Sequence, residues 1–142
     1  MRYFFEHALL AENWAKDVSV VSNDKGDITS ITPNTEDVRS DHRAKVALPG
    51  LPNVHSHAFQ RAMAGMAEVK DTGDDSFWTW RKVMYQFLER LTPEDLYTIA
   101  SLAYCEMLES GFTAVSEFHY LHHDASGSAY NDIGAMAFAI AE

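Results

Sequence analysis

The stretch LPGLPNVHSHAFQRAMAG, residues 48–65, ends a short apolar run in two closely spaced histidines. The run has the length and the bounding turn formers of a strand, and residues i and i+2 of a strand point to the same face. His55 and His57 are therefore expected to project together, with Val54 and Ser56 on the opposite face. Two neutral imidazoles on one face can bind one divalent ion, although an arbitrary H-x-H pair is more often two hydrogen-bonded histidines near a surface turn.

The residues around this stretch alternate between strand and helix patterns. We predict a strand at about 49–56, a polar loop at 68–76, helices over 77–91 and 92–111, a strand over 113–121 and the start of a helix in 131–142. The second helix has the clearest end signals, with Thr92 as N-cap, Pro93 at N1 and Gly111 after its last turn. This order predicts parallel strands joined by helices, and the histidine pair lies at the strand end where barrel enzymes place their chemistry.

Residues 1 to about 48 have a different pattern, with short strands and a hairpin whose turn lies at Asn23–Gly26. The predicted fold class is thus α/β: N-terminal small β-sandwich-like strands, then the first two βα units of an incomplete (β/α)8 TIM barrel. The predicted domains are 1–48, an N-terminal β subdomain, and 49–142, the start of the barrel. A closed barrel needs on the order of 250 residues, so we expect the end at Glu142 to interrupt it.

Composition excludes several classes of function. The net charge of −10 and the absence of clustered Lys and Arg argue against a nucleic-acid partner. No run approaches the roughly 20 apolar residues that span a bilayer, and the first residues lack a signal-peptide pattern. The single cysteine, Cys105, lies in an apolar helical pattern and is expected to be a buried structural thiol. We therefore expect a cytoplasmic protein without a nucleic-acid or membrane partner.

Three longer motifs carry a resemblance to a known family. The motifs are ALPGLPNVHSHAFQRAMAG (47–65), DSFWTWRKVMY (75–85) and GFTAVSEFHYLHHD (111–124). Together they resemble the N-terminal third of the formimidoylglutamate deiminases, enzymes of histidine degradation in the amidohydrolase superfamily. The H-x-H element alone would indicate only the superfamily, whereas the three motifs together are far more specific.

The resemblance implies an activity and a set of site residues. The family hydrolyses the small molecule N-formimidoyl-L-glutamate to N-formyl-L-glutamate and ammonia. By resemblance, His55 and His57 bind one divalent metal, usually zinc, and Gln60, Arg81 and Tyr120 line the substrate pocket. The remaining ligands and the general acid and base are expected beyond residue 142, so this chain is expected to be inactive alone. The resemblance also suggests a homodimer for the complete protein.

Each substrate-binding assignment has an ordinary alternative. A planar guanidinium such as that of Arg81 can bind a carboxylate bidentately, but it can equally stack in solvent on Trp78 or Trp80. Gln60 can donate and accept in one plane, yet a surface glutamine is commoner. Tyr120 can donate its phenol proton, or it can be a strand-end aromatic with its hydroxyl in water.

Two further groups of side chains could form other binding sites. His119, His122 and His123 could form a second metal site, but on an extended chain His122 and His123 point to opposite sides. Trp78 and Trp80, with Phe77, are expected to serve in core or loop packing rather than as a binding platform.

Two other functional hypotheses remain open at this point. One is another amidohydrolase deaminase of the guanine or hydroxyatrazine type. The arginine of the FWTWR element argues against it, because a neutral purine has no carboxylate with which this positive charge could pair. The other is a non-enzymatic truncated product, which the missing ligands favour for the 142-residue chain itself.

Overall fold

The structure, a computed structural model, describes residues 1–37, 39–66 and 77–142. Its internal contacts divide the chain into two units, Met1–Gly50 and Leu51–Glu142. The polar loop that the sequence predicts at 68–76 lies outside the described residues. Within them, no helix is both long and apolar enough to cross a membrane.

The first unit is one four-stranded mixed sheet. Its strands are β1 (Arg2–Leu9), β2 (Trp14–Ser22), β3 (Ile28–Thr32) and β4 (His42–Ala47). They lie in the order β3-β2-β1-β4; the β1–β2 and β2–β3 pairs are antiparallel, and β1 pairs with β4 in parallel. The predicted hairpin is confirmed: Asn23 Oδ1 accepts the backbone N–H groups of Lys25 and Asp27, and Gly26 supplies the positive φ of 88° that the turn needs.

The second unit contains a strand–helices–strand crossover. Its elements are β5 (Leu51–Ser56), a 3-10 helix (Ala58–Met63), α1 (Phe77–Leu88), α2 (Pro93–Glu109), β6 (Phe112–Glu117) and α3 (Ala135–Ala141). Strands β5 and β6 pair in parallel, as a helical crossover requires. Their register places Ser56 beside Glu117. The residues that follow the two strands, His57 and Phe118, therefore leave the sheet at the same edge.

Helix α2 begins where the sequence predicts. Thr92 and Asp95 form a capping box, in which each side chain accepts a hydrogen bond from the other residue's backbone N–H, and Pro93 occupies the first helical position. Gly111, with a φ of 88°, follows the end of the helix. These local signals are confirmed because they depend on neighbouring residues and not on the rest of the fold.

The core of the second unit lies between the helices and the 3-10 helix. It contains the buried side chains Phe59, Met63, Met84, Leu91, Leu96, Leu121 and Met136. Leu96, Ala100 and Ala103 form the buried face of α2. The prediction that Cys105 is a buried thiol is wrong, since this residue is exposed. Cys105 is two residues, or about 200° of helix, beyond Ala103 and so lies on the opposite face.

Strand β6 is shorter than the sequence predicts. The apolar pattern continues to Leu121, but the strand ends at Glu117. The 3-10 helix after β5 is also absent from the sequence prediction, because its length is too short for a helical period to be visible. Both differences fall directly after the ends of the parallel strands, where the chain turns to build a site.

We expect the isolated 142-residue chain to associate in solution. Within the described residues β5 and β6 pair only with each other, so each leaves an outer edge without a strand partner. Large apolar side chains on several elements are also exposed, among them Val54, Leu108, Phe118 and Phe138. Sedimentation velocity at increasing concentration should therefore show a rising mean mass, and a concentration-independent monomer that unfolds cooperatively would contradict the expectation.

Candidate metal and substrate site

Two histidines meet at the end of β5. The Nε2 atoms of His55 and His57 are 3.1 Å apart, and the two rings lie edge to face with centroids 4.9 Å apart. This arrangement follows from the alternation of a strand, in which residues two apart share a face. The two Nε2 atoms therefore lie within hydrogen-bond distance of each other at the end of β5.

The residue that follows β6 determines which nitrogen of His57 carries the proton. His57 Nδ1 lies 3.0 Å from the carbonyl oxygen of Phe118. Because a carbonyl can only accept, Nδ1 must be the protonated nitrogen, which leaves a lone pair on Nε2 of the neutral ring. The Phe118 amide in turn donates to the Ser56 carbonyl at 2.9 Å. Sequence reasoning missed this backbone contact, because no side chain signals it.

The geometry of the pair fits half of a zinc site. Two nitrogens bonded to one tetrahedral zinc at about 2.0–2.1 Å lie roughly 3–3.5 Å apart, a range that includes the observed 3.1 Å. Outer hydrogen bonds such as that from His57 Nδ1 are typical of metal-ligating histidines. Among residues 1–37, 39–66 and 77–142 no group of three potential ligands forms. The pair therefore needs further ligands to complete a catalytic site.

A carboxylate holds the backbone directly after His57. Glu117, the last residue of β6, accepts the backbone N–H of Ala58 at Oε1 (2.7 Å) and the hydroxyl of Tyr104 at Oε2 (3.1 Å). Burial raises the pKa of the Tyr104 phenol above its ordinary value, and the adjacent carboxylate of Glu117 raises it further. Tyr104 thus remains a hydrogen-bond donor. The sequence carried one overlooked signal for this contact, an acidic residue at the end of a mainly uncharged strand.

Gln60 and Tyr120 are brought together beside the histidines. Gln60 Nε2 donates to the Tyr120 hydroxyl at 3.2 Å, and the Tyr120 ring packs edge to face against the His57 ring with centroids 5.3 Å apart. The 3-10 helix makes this possible, because its first turn, closed by the hydrogen bond from the Gln60 amide to the His57 carbonyl (2.9 Å), directs Gln60 back toward the strand ends. These three side chains form one continuous surface.

Arg81 lies on α1 and has different partners. Its guanidinium donates from Nε (3.2 Å) and Nη2 (2.7 Å) to the hydroxyl of Tyr85, and it lies 5.7 Å from the ring centroid of Trp78. Stacking on Trp78 is the alternative arrangement that the sequence left open. Within the described residues no hydrogen bond joins Arg81 to the histidine pair, Gln60 or Tyr120.

The aromatic cluster around Arg81 is only partly a packing element. Trp80 packs against the core, as expected. Phe77 and Trp78 are exposed, and the Phe77 ring contacts the rings of Trp78 and Trp80 at centroid distances of 5.5 and 6.0 Å.

An open cavity of about 500 Å³ is lined by Tyr120, one of the three substrate candidates, and by a partner of Arg81. Tyr85, which holds Arg81, and Tyr120, which contacts Gln60, both line it, and the same wall includes His122 and His123. The lining also contains the carboxylates of Glu89 and Asp124, and Tyr120, whose ring contacts that of His57, connects the cavity to the histidine pair.

The second histidine cluster does not form a metal site among the described residues. His119 Nε2 lies 2.8 Å from the Leu121 carbonyl, so this nitrogen carries a proton and has no free lone pair. The rings of His119 and His122 are 5.5 Å apart and edge to face. Burial is the main cause that lowers the pKa of His119, with a smaller effect from the nearby His122.

Comparison with known proteins gives consistent results. The family model described as the amidohydrolase family matches residues 46–142. A formimidoylglutamate deiminase from Pseudomonas aeruginosa is 47% identical over 137 residues, which cover 96% of this chain and 30% of that protein. The chain thus spans about a third of the length of this curated relative.

Solved structures agree with the fold. The crystal structure of an amidohydrolase from Brucella melitensis matches with a TM-score of 0.92 and 44% identity over 99% of this chain and 31% of that one. A variant of atrazine chlorohydrolase from Arthrobacter aurescens, complexed with zinc and atraton, matches with a TM-score of 0.71 and 18% identity over 98% of this chain and 33% of that one. The predicted α/β fold class, with N-terminal strands before the first units of a barrel, is confirmed.

Proposed function

The chain belongs to the amidohydrolase family, and from this premise we propose that it is the N-terminal part of a formimidoylglutamate deiminase. The reaction would be the hydrolysis of N-formimidoyl-L-glutamate to N-formyl-L-glutamate and ammonia in histidine degradation. The observation that carries the proposal is the 47% identity to a formimidoylglutamate deiminase along 96% of this chain. The position of the site at the ends of β5 and β6 supports it.

In this proposal His55 and His57 hold one divalent metal ion through their Nε2 atoms. Zinc is the favoured ion because a zinc-containing structure shares the fold and because imidazole nitrogen suits zinc. When bound, such an ion activates water for attack at neutral pH. The Phe118 carbonyl contributes by holding His57 in the tautomer that leaves Nε2 free. The other metal ligands and the general acid and base are proposed to come from the rest of the protein.

The proposed substrate contacts are Gln60, Arg81 and Tyr120. The substrate carries two carboxylates, and the Arg81 guanidinium can bind one of them with two parallel hydrogen bonds. In the structure its Nε and Nη2 atoms both donate to the hydroxyl of Tyr85, and the same two donors would bind the carboxylate in this proposal. Gln60 and the Tyr120 hydroxyl can donate to the other carboxylate or to the formimidoyl group beside the metal.

The remaining properties of the complete protein follow the same proposal. Residues 1–48 would form an N-terminal β subdomain and residues 49–142 the start of the barrel. We propose a cytoplasmic homodimer that acts on a small molecule, without a nucleic-acid or membrane partner. The 142-residue chain alone would be inactive, because two metal ligands are too few for a catalytic site.

The alternative is a deaminase of a neutral heterocycle such as a purine, and substrate preference tests it. The complete product of the gene should show its highest kcat/KM with N-formimidoyl-L-glutamate. N-formimidoylglycine, which lacks the second carboxylate, should lose roughly tenfold or more because one charged contact is missing. Guanine and adenosine should not be deaminated. A preference for either purine would reject the deiminase assignment and leave the wider family.

A further inference from the structure

The peptide group between His57 and Ala58 is held from both sides. Its N–H donates to Glu117 Oε1 at 2.7 Å, and its carbonyl accepts the Gln60 amide at 2.9 Å. At His57, with φ −133° and ψ 77°, the chain leaves the strand and enters the 3-10 helix. Because a peptide group is planar, a bond at each of its ends restrains its orientation and with it the backbone from which the His57 side chain projects.

Glu117 is itself fixed by a second partner. Its other carboxylate oxygen accepts the Tyr104 hydroxyl from α2, so the carboxylate connects the helix, the end of β6 and the backbone after His57. The adjacent residue, Phe118, supplies the carbonyl that bonds His57 Nδ1. Two consecutive residues of one strand end thus control the backbone and the ring of the same histidine.

We propose that Glu117 is a positioning residue for the metal-binding histidine pair, acting through the Ala58 amide and not through direct contact with the metal or the substrate. The inference rests on the proposed function, since it assumes that His55 and His57 hold the metal. The hydrogen bond from the Ala58 amide to Glu117 keeps the His57 ring at the distance from His55 that one ion requires. In this proposal the length of the Glu117 side chain, and not its negative charge, positions His57.

Two conservative substitutions separate reach from charge. Glu117→Asp keeps the carboxylate but shortens the side chain by one methylene, so it cannot hold both the Ala58 amide and the Tyr104 hydroxyl. Glu117→Gln removes the charge but keeps the length, an acceptor for the Ala58 amide and a donor for the Tyr104 oxygen. The matched control is Glu106→Asp, the same change on a carboxylate of α2 that bonds the Arg61 guanidinium.

The experiment measures metal binding by the complete protein. The dissociation constant for Zn²⁺ is obtained by competition with a chromogenic chelator, and the Co²⁺-substituted protein is examined by visible absorption, which reports ligand geometry. Glu117→Asp should weaken Zn²⁺ binding by roughly ten- to hundredfold and alter the Co²⁺ spectrum. Glu117→Gln should remain within about threefold of the unmodified protein, because its hydrogen bonds are retained. Glu106→Asp should change neither readout.

The opposite results would overturn the inference. If Glu117→Gln weakens binding as much as Glu117→Asp, the carboxylate acts through its charge. If Glu117→Asp lowers only the unfolding temperature of the metal-free protein and leaves affinity and spectrum unchanged, Glu117 is merely structural.

His57→Ala serves as the reference for the metal site itself. Loss of Zn²⁺ binding in His57→Ala, with an unaffected Glu117→Asp, would reject only the positioning role. Unchanged Zn²⁺ binding in His57→Ala would reject the metal site on which the inference rests. The two failures are therefore distinguishable.

Discussion

Replacing His57 with alanine in the complete protein is expected to reduce ammonia release from N-formimidoyl-L-glutamate by on the order of a thousandfold or more, because activation of water by the metal depends on the intact ligand set. His57 is the better of the two histidines for this test. Its Nδ1 donates a hydrogen bond to the Phe118 carbonyl, so its Nε2 carries no proton and its lone pair can bind a metal ion. The measurement is the steady-state rate of ammonia release, with bound zinc determined on the same samples by elemental analysis.

The control for this substitution is His7→Ala, which removes an exposed histidine from β1 in the first unit. It should retain both the zinc content and the rate. If the His57→Ala protein keeps its full zinc occupancy and activity, the metal site is rejected. The two histidines are then hydrogen-bonded surface residues, which is the commoner case for an H-x-H motif.

Replacing Arg81 with methionine is expected to lower kcat/KM for N-formimidoyl-L-glutamate by roughly a hundredfold. Hydrogen bonds to charged groups contribute about 1.5–3 kcal/mol, and loss of a bidentate pair removes this contribution without leaving a buried charge on the protein. Arg81→Lys should recover only part of the loss, since an ammonium cannot form the same planar pair. Most of the effect should appear in KM, because the carboxylate is bound equally in ground state and transition state.

Arg90→Met provides the matched control, because Arg90 is an exposed arginine just beyond the same helix. It should leave kcat and KM unchanged. The assignment of Arg81 to the substrate would be rejected if Arg81→Met also left both constants unchanged, and the stacking of Arg81 on Trp78 and Tyr85 would then be its whole role.

The features that sequence alone predicted correctly are those with local causes. The capping box of α2 depends on Thr92 and Asp95, which are three residues apart, and the hairpin turn depends on Asn23 and Gly26. The shared face of His55 and His57 follows from the two-residue period of a strand. In each case the interacting groups are close in sequence, so the pattern contains the information.

The features that were missed depend on contacts between distant residues. Glu117 reaches Ala58 across 59 positions, and the Phe118 carbonyl reaches His57 across 61. No spacing rule connects these pairs. A hydrogen bond to a backbone carbonyl cannot be recognised in the sequence, because every residue has such a carbonyl. The exposed position of Cys105 was missed for a related reason, since an apolar helical segment shows its period but not which face meets the core.

We propose that this chain carries part of the metal site of a formimidoylglutamate deiminase. The most direct test of this proposal is ammonia release from N-formimidoyl-L-glutamate by the complete gene product, with and without a metal chelator, beside the 142-residue chain. We expect chelator-sensitive release that Zn²⁺ restores in the complete product, and none from the 142-residue chain. No release from the zinc-loaded complete product, or release that the chelator does not affect, would contradict it.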